Sequence, residues 1–247
     1  MRGRSLCWGF SFAAAILALM AGCSVNSTFV YKPEAPVADG QKLPFKVAVL
    51  PFKDGTEDFT DRGSVLLSGG QYNVAKAGIA ATMTALTPEL WAKSFAEDLA
   101  ASGSFRAARF IYSPSELADE DIFVEGTVTK AYVAKTFDNI NEFAISLRAL
   151  ARSDKRLVWE KEVTRAWKTP RGTKCGMGIQ CAVDEFKAEY NKAMQGMFAE
   201  ARADLVATLA ALSGGRSEKD GHPAAASPTP PAPESTEQTI ERILKAK

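Results

Sequence analysis

The chain has 247 residues, 46% hydrophobic and 24% charged, with 30 Lys and Arg against 29 Asp and Glu and one His. A formal charge of +1 gives no electrostatic reason to bind nucleic acid, and none to hold a membrane by charge alone. The length suits one domain of roughly 150–170 residues with flanking segments, enough to bury a core.

Arg2 and Arg4 form a short cationic start, Leu6 to Met20 an apolar run, and the small residues Ala21 and Gly22 precede Cys23. That order predicts a secretory signal peptide over residues 1–22. The run is too short, at about 1.5 Å per residue, to cross a hydrocarbon core of about 30 Å as a permanent helix. Without residues 1–22 the 30 basic residues fall to 28, so the mature chain carries a formal charge of −1. Met20-Ala21-Gly22-Cys23 resembles the lipobox of bacterial lipoproteins, with Met20 where Leu is usual. The resemblance implies diacylglycerol on the Cys23 thiol, cleavage before it, and a further acyl chain such as palmitate on the new amine. Ser24, in place of a retaining Asp, implies the outer membrane, with the chain facing the periplasm. A plain secretory signal with an accidental cysteine is the alternative.

Residues 23–44 hold Ser, Asn, Pro, Gly and Lys without sustained periodicity and read as an acylated flexible tether. The domain is expected over residues 45–212. Val47 to Leu50 is a continuous apolar run, as in a strand covered on both faces, and Pro51 ends it. Residues 59–86 are broken by Gly63, Gly69, Gly70 and Gly78 and read as a long glycine-rich loop, helical at most over Val74 to Leu86. Such a loop either binds a ligand or packs as an insertion on its own domain.

Thr87-Pro88-Glu89 starts a helix, with Thr as N-cap and Pro in the first turn. Trp91, Phe95 and Leu99 form its buried stripe, and Gly103 its C-terminal stop. Phe105 to Tyr112 reads as a strand and residues 113–117 as a short helical turn. Asp121 to Lys135, Ile140 to Leu150 and Arg156 to Trp167 then follow at hairpin spacing. In the first, Ile122, Val124, Val128 and Tyr132 are available to one face. In the second, Phe143, Ile145, Leu147 and Ala149 point inward and Glu142, Ala144, Ser146 and Arg148 outward. Val183 to Leu212 reads as a long amphipathic helix with Phe186, Tyr190, Met194, Met197, Ala201, Leu205 and Leu212 along its core side.

Cys7 leaves with the signal peptide, and lipid consumes Cys23. Cys175 and Cys181 remain, an even pair in an oxidising compartment with two glycines between them. They read as a disulfide, with buried free thiols as the alternative. Two thiolates without a further ligand pair do not complete a zinc tetrahedron, so no metal is expected. Residues 213–247 read as a disordered Pro- and Ala-rich tail ending in a short helix. Ile240, Ile243 and Leu244 on that helix offer an i, i+3, i+4 set for a partner groove. A frayed end without contacts is the alternative.

His222, the single histidine, lies in that tail, so no Ser–His or Cys–His relay is expected. No phosphate-binding G-x-x-x-x-G-K-[ST] loop occurs, and no cofactor is expected. Glu125, Glu142, Glu160 and Glu162 sit on strands. They serve either as paired acid and base or, more simply, as a solvated face.

The order β-α-β-(α)-β-β-β-α, with about five strands in a mixed sheet, opens with Val-Ala-Val-Leu-Pro-Phe over Val47 to Phe52. Together with Phe95, Leu99, Gly103 and Phe105, it resembles the periplasmic α/β domain of a group of envelope proteins. That group comprises the amino-terminal part of TolB, the curli secretion lipoprotein CsgG, and lipoprotein activators of peptidoglycan synthases. The resemblance covers residues 45–212, implies an α/β (α+β) fold, and supplies no catalytic residue to carry over. The resulting expectation is a non-enzymatic outer-membrane lipoprotein that binds a protein partner in envelope assembly or transport. A binding module for a small envelope ligand, a lipid or glycan fragment, is the alternative.

Overall fold

The structure, a computed structural model, describes residues 26–34, 42–63, 70–76, 84–135, 140–169, 175 and 178–219. The expected signal peptide, Cys23, and the tail residues Ile240, Ile243 and Leu244 lie outside the described residues. The chain falls into two units, Met1–Ala210 and Ala211–Lys247; the sheet and its core belong to the first.

The described strands are β1 (Leu43–Val49), β2 (Lys53–Asp54), β3 (Asp61–Arg62), β4 (Gln71–Asn73), β5 (Phe105–Phe110), β6 (Ile122–Ala134), β7 (Ile140–Ala151) and β8 (Leu157–Lys168). Helix α1 spans Pro88–Ser102, α2 spans Ile179–Lys219, and a single 3-10 turn covers Pro114–Glu116. The five longer strands and two helices follow the expected α+β order, and one open mixed sheet contains all the strands.

Strand β6 is the axis of the sheet. One of its edges pairs antiparallel with β7 from Ile122 to Tyr132, and β7 pairs antiparallel with β8. Its other edge is shared by three segments: β1 in parallel at residues 122–124, β2 in parallel at 127–128, and β4 antiparallel at 132–134. β1 also pairs in parallel with β5, reached through α1. The α1 boundaries follow from its caps. The Thr87 Oγ1 accepts from the Leu90 N–H at 3.4 Å, and Gly103 ends the helix with φ 68°. That left-handed conformation suits glycine, which has no Cβ to clash.

Both helices cover the same sheet face. Trp91, Phe95 and Leu99 of α1 meet Tyr190, Met194, Met197, Phe198, Ala201, Leu205 and Leu209 of α2 over Val49, Val124, Val128, Phe143, Ile145, Leu147, Trp159 and Val163. Gly126 belongs to this face, and a Cβ there would meet the Phe52 ring at 2.6 Å. A small cluster of Ala48, Leu50, Ile111 and Phe123 lies on the other side of the sheet. β1 is therefore covered on both faces, as its unbroken apolar run requires.

Four expectations change. On β6 the register shifts between Val128 and Lys130. The bulge turns Ala131 and Val133 to the helices and moves Tyr132 off that face. Tyr132 instead meets the Phe59 ring at 5.3 Å between centroids. On α2 the core stripe passes through Phe198 and Leu209, whereas Leu212 is exposed. The helix begins earlier than Val183 and continues to Lys219, beyond the expected start of the tail at 213.

The glycine-rich stretch 59–86 is not one loop. It supplies β3 and β4, which pair with each other and extend the β6 edge. Val74 and Leu86 are fully buried, so the described parts pack as an insertion on their own domain. Buried Asn73 donates to Thr56 Oγ1 at 2.9 Å and to the Glu57 carbonyl at 2.8 Å, which fastens the insertion to the turn after β2.

The fourth change concerns residues 26–34, within the expected tether. They are docked, with Phe29 and Tyr31 buried among the core residues. The Tyr31 hydroxyl donates to Asp98 Oδ1 at 2.9 Å, and Arg202 Nη1 donates to Asp98 Oδ2. One carboxylate thus joins the amino-terminal strap, α1 and α2. Burial pushes the Asp98 carboxyl above the ordinary carboxylate range, against the opposing pull of Arg202 and Tyr31.

A raised folded-state pKa means that the native chain holds more proton than the unfolded one between about 3.9 and that raised value. The stability linked to Asp98 is therefore fully present below about pH 3.9 and is lost as pH rises through the folded value. Asp98→Asn is expected to remove this slope from urea-unfolding free energies taken across the acidic range. A profile identical in shape to wild type would assign the slope to another group.

Candidate functional site

The face of the sheet opposite the helices carries the polar chemistry. Strand periodicity sends Glu125 and Thr127 of β6, Ser146 and Arg148 of β7, and Glu160 and Glu162 of β8 to this side, because their neighbours Val124, Leu147, Trp159 and Val163 enter the core. Register then aligns them. Arg148 lies directly between Glu125 and Glu160, and Ser146 between Thr127 and Glu162.

Arg148 donates from Nε at 2.9 Å and from Nη2 at 2.5 Å to the same Glu125 oxygen, Oε2. Farther along, Lys130 Nζ donates to Glu142 Oε1 at 2.8 Å. That bond holds the Lys130 ammonium above its ordinary range. Lys53, Glu125, Gly126, Thr127, Ser146, Arg148 and Glu160 line a shallow depression of about 210 Å³. Drug-sized ligands are usually held in pockets of about 300–1,000 Å³ that bury most of their surface. This depression is smaller and open to one side.

The four strand glutamates of the sequence reading thus lie on one surface, each set on a regular strand and flanked by basic or hydroxyl groups. Exposed cross-strand ion pairs contribute about 0–1 kcal/mol to stability. The pattern therefore matters more as a display of charge than as a brace. What the sequence did not reveal was the alignment of Glu125, Arg148 and Glu160, because register depends on the β6 bulge and on turn lengths. Among the described residues β8 pairs only with β7, and Glu160, Glu162, Arg165 and Lys168 punctuate that free edge. Charges of this kind discourage strand addition.

Cys175 and Cys181 are joined by a disulfide, with 5.4 Å between Cα atoms. Cys181 belongs to the first turn of α2, so the bond closes the approach to that helix. The ligand atoms of Cys175, Cys181 and Glu185 lie within 4.8 Å of one another. Cysteine holds a metal ion as its thiolate, and sulfurs joined in a disulfide are not thiolates. At the other end of α2's packed stretch, Trp159 Nε1 donates to Asp204 Oδ1 at 2.7 Å and fixes β8 to the helix. No helix among the described residues is long and apolar enough to cross a membrane.

No family model matches the chain, and no curated protein matches it. Solved structures resemble it distantly. A Xanthomonas campestris protein described under the DUF330 family is 14% identical with a TM-score of 0.48, covering 78% of this chain and 97% of its own. PelC from Paraburkholderia phytofirmans, described as a dodecamer, is 15% identical with a TM-score of 0.39, covering 66% and 91%. Lipoprotein GNA1162 from Neisseria meningitidis is 11% identical with a TM-score of 0.27, covering 59% and 99%.

Proposed function

We propose that this chain is a lipid-anchored, non-enzymatic lipoprotein of the outer membrane that faces the periplasm and binds a protein partner in envelope assembly or transport. The carrying observation is the part of the sheet face around Glu125, Arg148 and Glu160, which no helix covers among the described residues. Two helices close the opposite face, whereas this one presents acidic and basic groups in register across β6, β7 and β8. A charge-patterned surface recognises another surface by complementary charge, which sets specificity and encounter rate. The small ligand of the alternative reading gains little support from a depression of about 210 Å³ that is open to solvent. The lipobox resemblance at Met20 to Cys23 supports the anchor, and Ser24 supports the outer membrane. The resemblance of residues 45–212 to the TolB and CsgG group is consistent with this role.

The test exchanges the pair: Glu125→Arg with Arg148→Glu in one chain. The ion pair is kept in reverse, so the melting temperature is expected to stay close to wild type, while the displayed pattern is inverted. Recovery of the partner after crosslinking in intact cells is expected to be lost. Undiminished recovery would show that this face is not the binding surface, and a lipid or glycan co-purifying in the mass spectrum would favour the alternative.

A further inference from the structure

The strap at residues 26–34 is held along α2. Four side chains on one stripe of α2, at positions 180, 187, 191 and 195, grip its backbone. Gln180 Oε1 accepts from the Asn26 N–H at 2.9 Å, and Lys187 Nζ donates to the Asn26 carbonyl. Asn191 Oδ1 accepts from the Lys32 N–H at 2.7 Å. Asn191 Nδ2 and Gln195 Nε2 both donate to the Lys32 carbonyl, at 3.1 and 2.7 Å. Phe29 and Tyr31 are buried between these two anchor points. The strap is thus part of the folded domain from Asn26 onward.

Only Ser24 and Val25 separate Asn26 from Cys23. Three residue steps span at most about 10 Å of extended chain. Resting on the proposed acylation of Cys23, we infer that the amino-terminal end of α2, around Ile179 and Gln180, docks on the lipid surface itself, instead of hanging from it on a long leash. Ile179 is 69% exposed at that end. A single exposed isoleucine means little by itself; its place beside the anchor gives it an occupant. With the acyl chains inserted, headgroups lie within the reach of two residues, so the Ile179 side chain meets the boundary between headgroups and acyl chains.

The test uses the full processed chain, reconstituted into vesicles of phosphatidylethanolamine and phosphatidylglycerol with brominated acyl chains. Ile179→Trp provides the reporter and Ser146→Trp a control on the sheet face opposite the helices. Each is read as the difference from wild type, whose Trp91 is buried in the core and whose Trp159 and Trp167 lie on β8. The inference predicts that the chain floats with the vesicles, and that the added emission at 179 shifts to the blue and is quenched by bromine. Emission at 146 should remain unquenched.

A flexible Gly-Ser insertion between Val25 and Asn26 should restore emission at 179 without loss of flotation. Flotation with unquenched emission at 179 would overturn the docking while leaving the anchor intact. Failure to float would overturn both the anchor and the docking that depends on it.

Discussion

Replacing Phe198 with alanine is expected to destabilise the domain by about 3–5 kcal/mol, the range for large aromatic truncations in a packed core. Phe198 is fully buried on α2. Its ring centroid lies 5.3 Å from that of Tyr31, 5.3 Å from Phe95 and 6.2 Å from Trp91. Edge-on and tilted contacts of this kind add to the area buried. One side chain therefore packs together the amino-terminal strap, α1 and α2, three elements far apart in sequence. The cavity left by its removal borders all three, so partial collapse cannot fill it cheaply.

For a domain of this size, each kcal/mol corresponds to about 2–4 °C in melting temperature. A loss of about 6 °C or more is thus expected in thermal unfolding, with early loosening of the strap in hydrogen exchange. A shift within a degree of wild type would show that the three elements do not share a core.

The other large effect is one of location. Cys23→Ser removes the thiol that the proposed acylation at Met20 to Cys23 requires. One acyl chain alone gives marginal, reversible membrane binding, and stable anchoring needs two signals or more. The formal charge is near zero with or without residues 1–22, so electrostatics supplies no second anchor. The variant is expected either to leave the membrane fraction entirely or to remain as an uncleaved precursor retaining residues 1–22. Mass spectrometry of the amino-terminal peptide distinguishes these outcomes from wild type, where Cys23 should begin the chain and carry acyl groups. A variant that is cleaved and distributed like wild type would support the plain secretory signal.

Much of the fold was legible because local signals agreed with the tertiary outcome. Thr87, Pro88 and Gly103 set the α1 boundaries through backbone chemistry that needs no neighbours. Alternation on β7 divided Phe143, Ile145, Leu147 and Ala149 from Ser146 and Arg148 as the sheet does. Failures occurred where periodicity is broken or overruled. A single bulge after Val128 reversed the facing of Tyr132, and no residue type in that stretch announces it.

The strap was missed for a different reason. Phe29, Val30 and Tyr31 do alternate buried, exposed, buried, but the pattern is too short to outweigh the Pro- and Gly-containing surroundings. Its burial also depends on Asp98 and Arg202, which lie far away in sequence. The candidate surface was half visible. The strand glutamates stood out individually, whereas their alignment on one face needed the register of three strands.

The most direct measurement places a photo-crosslinking amino acid at Ser146, on the face opposite the helices, and separately at Ala203, exposed on α2, in intact cells. The account predicts one discrete adduct from position 146, abolished by the exchanged Glu125–Arg148 pair, and none from position 203. An adduct from position 203 with none from 146 would contradict it.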